Sequence, residues 1–489
     1  MAINVDRKPV FFYPDSQRVI ARPFVPGDAR RVASIVQRVL DLDEESVRQY
    51  LNQVLREFSK RHRNITKVFE ENFENIRRPA TEGGIEFNHL TRERRLLMGA
   101  YFTKEYSIES AAFFNPSMVE DPYQGNLKEG EKRIIVSMRA TGEGHVSSIA
   151  FRSGVIDRNN DLAFEPVGAL VDEPEAVKRH VYDKKSFIEK LHEMGVYDDV
   201  IEPVVERLGD TFIYGELQAS IAAEIEKPRI SQTRRDKIET INWVASSHYE
   251  ITFSMDTALS ERVIFPISYA ESNGIEDARF VKFREDSGAT CYYATYTAYN
   301  GYTTLPKLLE TTDFYHFKVI PMYGSQAKSK GMALFPRKIG GKYAMLSRYD
   351  GVNNYIMFSD SVRVWTEAHR IEAPDRPWEF VQVGNCGSPI ETKEGWLVIT
   401  HGVGPMRQYA LGAALLDLED PSRVIGRLKE PLISANDKER EGYVPNVVYS
   451  CGSILHNGAV IIPYGVSDSA TTFASVSLDE LLAGIKNGR

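Results

Sequence analysis

The chain has 489 residues, 42% of them hydrophobic and 26% charged, with a mean hydropathy of −0.33 and a net charge of −8. This composition allows a large core or two domains, and the acidic balance disfavours nucleic acid as a partner. No apolar run approaches the roughly 20 residues of a membrane span, no secretory signal opens the sequence, and the three cysteines fit neither a disulfide framework nor a zinc site. We therefore expect a cytoplasmic protein with no membrane segment and no metal.

Residues 1–105 are predicted to form an N-terminal α-helical region. Apolar residues recur at intervals of three and four between Asp28 and Ile76, in three successive stripes. Asp43 directly precedes the second stripe and is a candidate N-cap. Amphipathic stripes of this kind are typical of a packed helical platform.

Residues 106–165 and 247–489 carry the pattern of short strands separated by turns. Examples are "KRIIVSMRA", "VSSIAFRSG", "ARFVKF" and "GWLVITHGV", and "IGGKY" and "HNGAV" supply hairpin turns. Helical periodicity returns in residues 166–246. The chain is thus predicted to be mainly β, with a helical insertion that splits the β domain. Pattern alone allows a propeller or a sandwich and only weakly favours the propeller.

The stretch "GIEDARF" places two carboxylates, Glu276 and Asp277, before Arg279 and an apolar strand. Paired carboxylates carry out acid–base chemistry when their surroundings separate their pKa values. Because adjacent strand residues point to opposite faces, only one of the two is expected to address a given cleft. The alternative is that the whole stretch is a structural salt bridge to Arg279 at the start of a strand. We expect Asp277 to face the cleft, and Glu276 and Arg279 to hold the turn.

Cationic and polar residues recur at other strand ends: Lys330, Arg348, His401 and Tyr409. Two fixed positive charges, an imidazole that can change its charge and a phenol would suit an oxyanion such as phosphate. Taken singly, each is equally a solvated or hydrogen-bonded side chain. The sequence has no G-x-x-x-x-G-K-S/T and no G-x-S-x-G motif, and His62 is predicted to lie on the solvated surface.

Several blocks of the sequence resemble glycoside hydrolase family 130, the mannoside phosphorylases and related β-mannosidases. They include "NGIEDARFVKF…YYATYTAY", "KGMALFPRKIGGKYAMLSR", "GSPIETKEGWLVITHGV" and "IIPYGVSDSATTFASVSLDELL". The likeness covers about residues 110–155 and 255–485, in the family order. It implies a five-bladed β-propeller with the active site in its central funnel.

The resemblance also implies the chemistry and the residues that perform it. The activity would be inverting phosphorolysis of a non-reducing β-mannosyl unit, giving α-mannose 1-phosphate, with the proton relayed through the mannosyl 3-hydroxyl. By motif position, Asp277 would be the general acid, and Lys330, Arg348, His401 and Tyr409 would bind phosphate. The residues that would line the sugar and phosphate subsites are Asn115, Arg139 and Asp468. Phosphate would be a substrate, so no cofactor is expected.

Departures from the family pattern and competing functions leave the substrate open. The family has Pro, Asp and His where this chain has Ala278, Gly331 and Ser347, at the rim of the expected site. We expect β-1,2-linked mannooligosaccharides as substrate, and the long amphipathic helices make a homo-oligomer plausible. The alternatives are a β-mannosidase of the same fold, with Asp350 or Asp360 as base, and a non-catalytic glycan-binding propeller.

Overall fold

The N-terminal helices form where the apolar stripes predicted them. In the computed structural model, which describes residues 3–177, 181–193, 197–226, 231, 234, 238, 241, 245, 247–301, 304–328 and 330–488, the helices are α1 Ala29–Leu40, α2 Glu44–Phe58, α3 Ile65–Glu82, α4 Arg92–Tyr101, α5 Lys184–Glu193, α6 Glu202–Glu206, α7 Tyr214–Ile225 and α8 Leu478–Asn487. Asp43 caps α2 as predicted, accepting a hydrogen bond from the Ser46 amide at 2.8 Å. None of the described helices is long and apolar enough to cross a membrane.

The strands occupy most of the remaining described chain. In order they are β1 Val5–Phe12, β2 Asp15–Pro23, β3 Thr103–Glu109, β4 Ala112–Glu120, β5 Lys132–Thr141, β6 Ser147–Ile156, β7 Leu162–Phe164, β8 Glu175–Val177, β9 Val181–Asp183, β10 Thr211–Ile213, β11 Tyr249–Thr252, β12 Val263–Ile264, β13 Gly274–Arg284, β14 Thr290–Tyr299, β15 Thr304–Thr311, β16 His316–Pro321, β17 Ala333–Leu334, β18 Tyr343–Ser347, β19 Asn354–Ser359, β20 His369–Glu372, β21 Gln382–Asn385, β22 Ile390–Thr392, β23 Gly395–Val403, β24 Tyr409–Leu416, β25 Val424–Arg427, β26 Val448–Tyr449, β27 Ile454–His456, β28 Ala459–Val466 and β29 Ala470–Ser477.

Within the described residues these strands build five antiparallel sheets of four to six strands. Their strand orders are β12-β6-β5-β4 with β7 on β6, β13-β14-β15-β16-β11-β8, β17-β18-β19-β20, β21-β23-β24-β25 with β22 on β23, and β1-β29-β28-β26 with β27 on β28. The predicted hairpin turns are confirmed: Gly340 and Gly341 precede β18, and Asn457 and Gly458 join β27 to β28, all with positive φ. Such φ values are those that two-residue hairpin loops require. The mainly β class is therefore confirmed.

The chain divides into two compact units, one of residues 15–110 and 168–173 and one of residues 1–14, 111–167 and 174–489. This division differs from the predicted boundaries at residues 105, 165 and 246. Residues 1–14 belong to the β unit because β1 pairs with β29, Val5 opposite Val476. A pairing between segments so far apart leaves no local pattern to read. Helices α5 to α7 lie in the predicted insertion, of which residues 227–230 and most of 232–246 are outside the described residues.

The smaller unit packs α1 to α4 around one apolar core and pairs β2 with β3. It departs from the sequence analysis in two ways: it contains the strands β2 and β3, where a helical region was predicted, and His62 is only 6% exposed. The His62 Nε2 atom lies 2.8 Å from the Glu105 carboxylate, which also pairs with Arg61. The prediction of a solvated His62 was wrong because its hydrogen-bond partner comes from β3, distant in sequence.

Candidate active site

Two β-bulges bring Asn115 and Asp277 together. The pairing of β4 with β5 slips between Phe114 and Ser117, and that of β13 with β14 slips between Glu276 and Arg279. At each slip one residue takes a left-handed conformation, Asn115 with φ 50° and Asp277 with φ 56°. Asn and Asp tolerate this conformation better than most side chains, and a bulge re-aims a side chain out of the strand alternation. The Asn115 amide donates to Asp277 at 2.7 Å.

The bulge on β13 also places Glu276 and Asp277 on the same guanidinium. Arg139 donates to Glu276 at 2.9 Å and to Asp277 at 3.4 Å. The expectation that strand alternation would send the two carboxylates to opposite faces was therefore wrong. The Lys330 ammonium pairs with the other oxygen of Glu276. Two carboxylates and two cations thus share one cluster.

The cations of this cluster keep Asp277 ionised. Burial by itself would raise the pKa of Asp277, but the charges of Arg139 and Lys330 and the Asn115 hydrogen bond outweigh it and hold the pKa below its ordinary value. The carboxylates in turn raise the pKa of Arg139 despite its burial. Asp277 and Arg139 therefore form a pair in which both side chains are charged.

Asp468 lies close enough to this cluster for the charges of the cluster to affect its pKa. It follows β28 in a left-handed conformation, φ 50°, next to Ser467 with φ 46°. Ser467 is anchored by its hydroxyl on the Glu439 carbonyl, at 2.6 Å. Burial, together with the negative charge of Asp277, raises the pKa of Asp468 to about 6. The two aspartates therefore differ in protonation in mildly acidic solution, the condition under which a carboxyl pair divides acid and base roles.

The raised pKa of Asp468 predicts a pH-dependent stability. Its folded-state pKa exceeds the ordinary value of 3.8, so the folded protein binds more protons between about pH 4 and pH 6. The stability of the wild type relative to Asp468→Asn should then fall as pH rises through this window, by on the order of 2 kcal/mol. Urea unfolding of both proteins at pH 4, 5, 6 and 7 measures it. A constant difference would contradict the prediction, and Asp437→Asn, at a fully exposed aspartate, is the control.

A second cluster contains Arg348, His401 and Tyr409. The Arg348 guanidinium donates to His401 Nε2 at 2.9 Å, and His401 Nδ1 donates to the Asn385 carbonyl at 3.2 Å. The Tyr409 ring lies parallel to the imidazole, with centroids 6.1 Å apart. Burial, together with the charges of Arg348 and Arg279, holds the pKa of His401 well below its ordinary value. The lowered pKa disfavours the expected change of charge on this imidazole, and a neutral His401 accepts the hydrogen bond from Arg348 and so orients it.

Asn385 connects the two clusters. Its side-chain amide donates to the Gly331 carbonyl, next to Lys330, at 2.8 Å, and its side-chain oxygen accepts from Arg279. Arg279 is 2% exposed and also donates to the Tyr449 hydroxyl at 2.6 Å. Arg279 therefore ties neighbouring sheets together and does not hold the turn with Glu276 as expected. The sequence analysis selected Arg279 because of its place in the "EDAR" stretch, but nothing in the sequence indicated Asn385 or Tyr449.

Several polar atoms at the two clusters have no protein partner within the described part of the chain. They are Asn115 Oδ1, Arg139 Nε, Ser347 Oγ and Arg348 Nε. Buried polar groups are normally hydrogen-bonded, so atoms of this kind mark places where a ligand or water completes the site. The two candidate bases of the β-mannosidase alternative are placed differently. The Asp350 carboxylate accepts a hydrogen bond from the Val352 amide in its own loop, and the Asp360 side chain is 87% exposed. No group of three metal-ligating side chains occurs among the described residues.

Comparison with known proteins gives several mannoside phosphorylases as relatives of this chain. A 1,2-β-oligomannan phosphorylase from Thermoanaerobacter sp. (strain X514) is 42% identical over 156 residues, which are 31% of this chain and 52% of the relative. A β-1,2-mannobiose phosphorylase from Listeria innocua is 28% identical over 352 residues, 68% of this chain and 90% of the relative. A solved structure of β-1,2-mannobiose phosphorylase from Listeria innocua, in complex with β-1,2-mannobiose, has 22% identity and a TM-score of 0.47, covering 78% and 93% of the two chains.

The family assignment comes from the match to a whole-family model. The model of glycoside hydrolase family 130, described as β-1,4-mannooligosaccharide phosphorylase, matches residues 243–487, half of the chain. The matched segment contains Asp277 and the other residues of both clusters, except Asn115 and Arg139. The chain therefore belongs to glycoside hydrolase family 130.

Proposed function

We propose that the protein is an inverting β-mannoside phosphorylase that transfers the terminal mannosyl unit of a β-1,2-linked mannooligosaccharide to inorganic phosphate. The observation that carries the proposal is the position of Asp277, bonded to Asn115 and Arg139 beside Lys330. A carboxyl group surrounded by cations suits a reaction in which a general acid acts beside an anionic nucleophile. The names of the relatives from Thermoanaerobacter and Listeria innocua support the β-1,2 linkage.

In the proposed reaction a phosphate oxygen attacks the anomeric carbon while the bond from that carbon to the glycosidic oxygen breaks. Asp277 supplies the proton that the leaving oxygen needs, through the mannosyl 3-hydroxyl, and the products are α-mannose 1-phosphate and a shortened oligosaccharide. Lys330, Arg348 and Tyr409 hold the phosphate, and His401 orients Arg348. Asn115, Arg139 and Asp468 hold the mannosyl unit and the acid. No cofactor is needed, because phosphate is itself a substrate.

The charges of the site suggest how phosphate prepares Asp277 for its role. Without an anion, Arg139 and Lys330 hold the pKa of Asp277 below its ordinary value. An arriving phosphate offsets the positive field of these cations, and this favours the protonated carboxyl that a general acid requires. Binding of the nucleophile and protonation of the acid would therefore be coupled.

The five sheets support the finer architecture that belongs to this proposal. Each has four to six strands with antiparallel neighbours, as blades of a propeller have, and the pairing of β1 with β29 joins the two ends of the chain in one sheet. We take the five sheets as the blades of a five-bladed propeller. Asn115, Asp277, Arg348, His401 and Asp468 each belong to a different sheet or the turn that follows it.

The experiment incubates the purified protein with β-1,2- or β-1,4-mannobiose, with and without inorganic phosphate, and measures mannose 1-phosphate and free mannose. Mannose 1-phosphate that forms only with phosphate, and mainly from β-1,2-mannobiose, is the expected result. Free mannose in equal amounts without phosphate would overturn phosphorolysis in favour of a β-mannosidase. Asp468 would then be the candidate base, and Asp468→Asn would abolish release of mannose.

A further inference from the structure

A cavity lies within the β unit, lined by residues that follow those of the candidate active site along the same strands. Its volume is about 500 Å³, within the range of small-molecule sites. We call it the distal cavity. Its lining comes from residues 118–120 of β4, 132 of β5, 280–282 and 284 of β13 and 290 of β14, and from the segments 336–337, 388–391 and 453–455.

The distal cavity and the candidate active site occupy opposite ends of the same strands. On β13, Asp277 lies near the first residue and Arg284 is the last. Seven residues of extended strand span roughly 23 Å, since a strand rises about 3.3 Å per residue. On β4, Glu120 is the last residue and lies five residues, roughly 17 Å, beyond Asn115. The nearest lining residues, Met118 and Phe280, lie three residues, roughly 10 Å, from Asn115 and Asp277. It is the cationic end of the cavity, at Lys282 and Arg284, that is distant from Asp277.

The lining of the distal cavity carries an excess of positive charge. Lys132, Lys282, Arg284 and Arg337 contribute four cations, against the carboxylates of Glu120 and Glu391. Lys282 pairs with Glu120 at 2.7 Å and Arg337 with Glu391 at 2.8 Å. Arg284 makes no ion pair with any residue that the structure describes. In a chain of net charge −8, a local excess of cations marks a place for an anion.

The backbone places the unpaired cation next to a second guanidinium. Arg284 and Arg337 face one another in a parallel β-bridge, and the Arg284 amide donates to the Pro336 carbonyl at 2.9 Å. Like charges side by side repel, and an anion between them relieves the repulsion. The Arg337 guanidinium already donates to Glu391 through Nε and Nη2 and to the Lys338 carbonyl through Nη1. Arg284 is therefore the guanidinium that presents the paired donors that match phosphate oxygens.

Two serines of the lining add hydrogen-bonding capacity. Ser388 and Ser453 each end a Cys-Gly-Ser segment, and their hydroxyls have no partner in the described chain. The two segments touch: a Cβ on Gly387 would lie 2.3 Å from the Cys451 carbonyl oxygen. Since an unpaired buried hydroxyl costs stability, a ligand with hydroxyl groups would satisfy them. Rotation about one side-chain bond suffices to turn a serine hydroxyl toward such a ligand.

We propose that the distal cavity is a binding site for a small phosphorylated sugar. Its phosphate would bind Arg284, with Arg337 and Lys282 nearby, and its hydroxyls would bind Ser388 and Ser453. The proposal goes beyond phosphorolysis and does not depend on it.

The test measures binding of glucose 6-phosphate by calorimetry. We expect saturable binding to the wild type and a loss of about tenfold or more in affinity for Arg284→Gln, because a charge-assisted hydrogen bond is lost. Lys338→Gln is the matched control, since Lys338 pairs with Asp286 at 3.3 Å and does not line the cavity. Ser388→Ala with Ser453→Ala should weaken the sugar phosphate more than inorganic phosphate.

Arg348→Gln separates the distal cavity from the active site. Retained binding of glucose 6-phosphate in Arg348→Gln, with loss in Arg284→Gln, supports the proposal. Loss in Arg348→Gln with full binding in Arg284→Gln would locate the ligand at the active site and overturn it. Absence of saturable binding to the wild type, or equal loss in Lys338→Gln, would overturn it as well. None of these outcomes depends on whether mannose 1-phosphate is formed.

Discussion

Replacing Asp277 with Asn is expected to lower the rate of mannose 1-phosphate formation by a factor of about 10² to 10⁴, the usual contribution of a general acid. Asn has the same shape, and its side-chain oxygen can still accept the 2.7 Å hydrogen bond from Asn115. It has no acidic proton to transfer to the leaving oxygen. Initial rates with β-1,2-mannobiose and saturating phosphate measure the loss, and the unfolding midpoint shows whether the fold is retained.

Glu276→Gln is the matched control for Asp277→Asn. It removes the same charge from the neighbouring residue, which contacts the same Arg139 at 2.9 Å. An equal loss of activity in both variants would mean that charge balance, and not proton donation, explains the effect. An activated aryl mannoside gives a second check, because its leaving group needs little protonation. Asp277→Asn should cleave that substrate far better than mannobiose, and equal impairment on both would contradict the role of acid.

Replacing Lys307 with Met is expected to destabilise the protein by about 3–5 kcal/mol. This is the cost of removing one partner of a buried ion pair, which leaves the other charge buried without a counterion. The Lys307 ammonium lies 2.7 Å from the Glu271 carboxylate, and both side chains are fully buried. The same carboxylate accepts hydrogen bonds from Tyr249 at 2.9 Å and Tyr296 at 2.6 Å. Without Lys307 its charge remains, desolvated and without a cation. Urea unfolding at pH 7 gives the difference.

The pH dependence of stability tests the same ion pair from the acid side. Burial by itself would raise the pKa of Glu271, but the Lys307 charge and the Tyr296 hydrogen bond outweigh it and lower the pKa to about 2. A lowered pKa contributes stability above its ordinary value of 4.5, which is lost as pH falls toward 2. Lys307→Met should flatten this acid limb.

Lys318→Met supplies the control for Lys307→Met. Lys318, on the next strand β16, pairs with Glu310 at 3.7 Å, and its side chain is 53% exposed. An exposed pair of this kind contributes about 1 kcal/mol or less. If Lys307→Met were as mild as Lys318→Met, the buried pair would not hold the sheet together. Adding Glu271→Gln to Lys307→Met should recover part of the loss, because the unpaired charge is then removed.

The local patterns of the sequence predicted local structure well. The apolar stripes give α1 to α3, and the Gly340–Gly341 and Asn457–Gly458 turns lie where glycine and asparagine indicated them. What local patterns could not give is pairing across long distances. The strand β1 was missed because its partner is β29, and His62 was misplaced because its carboxylate partner is on another strand.

The candidate site shows the same division. The resemblance named Asp277, Asn115 and Arg139, and the structure brings them into contact. Their convergence depends on two bulges, and a single inserted residue leaves no mark in an alternating pattern. The neutral state of His401 was also beyond the sequence, since it follows from burial and from the cations around the ring. The charge of a buried side chain depends on the residues that the fold places around it.

The pairing of β1 with β29 has a consequence for synthesis on the ribosome. Val5 cannot meet Val476 until almost the whole chain has emerged, which takes on the order of half a minute to a minute and a half at ordinary translation rates. Throughout that time β1 is a strand without its partner. It carries Asp6, Arg7, Lys8 and Pro9 ahead of its apolar end. Charges and proline are what discourage a strand edge from pairing with another nascent chain.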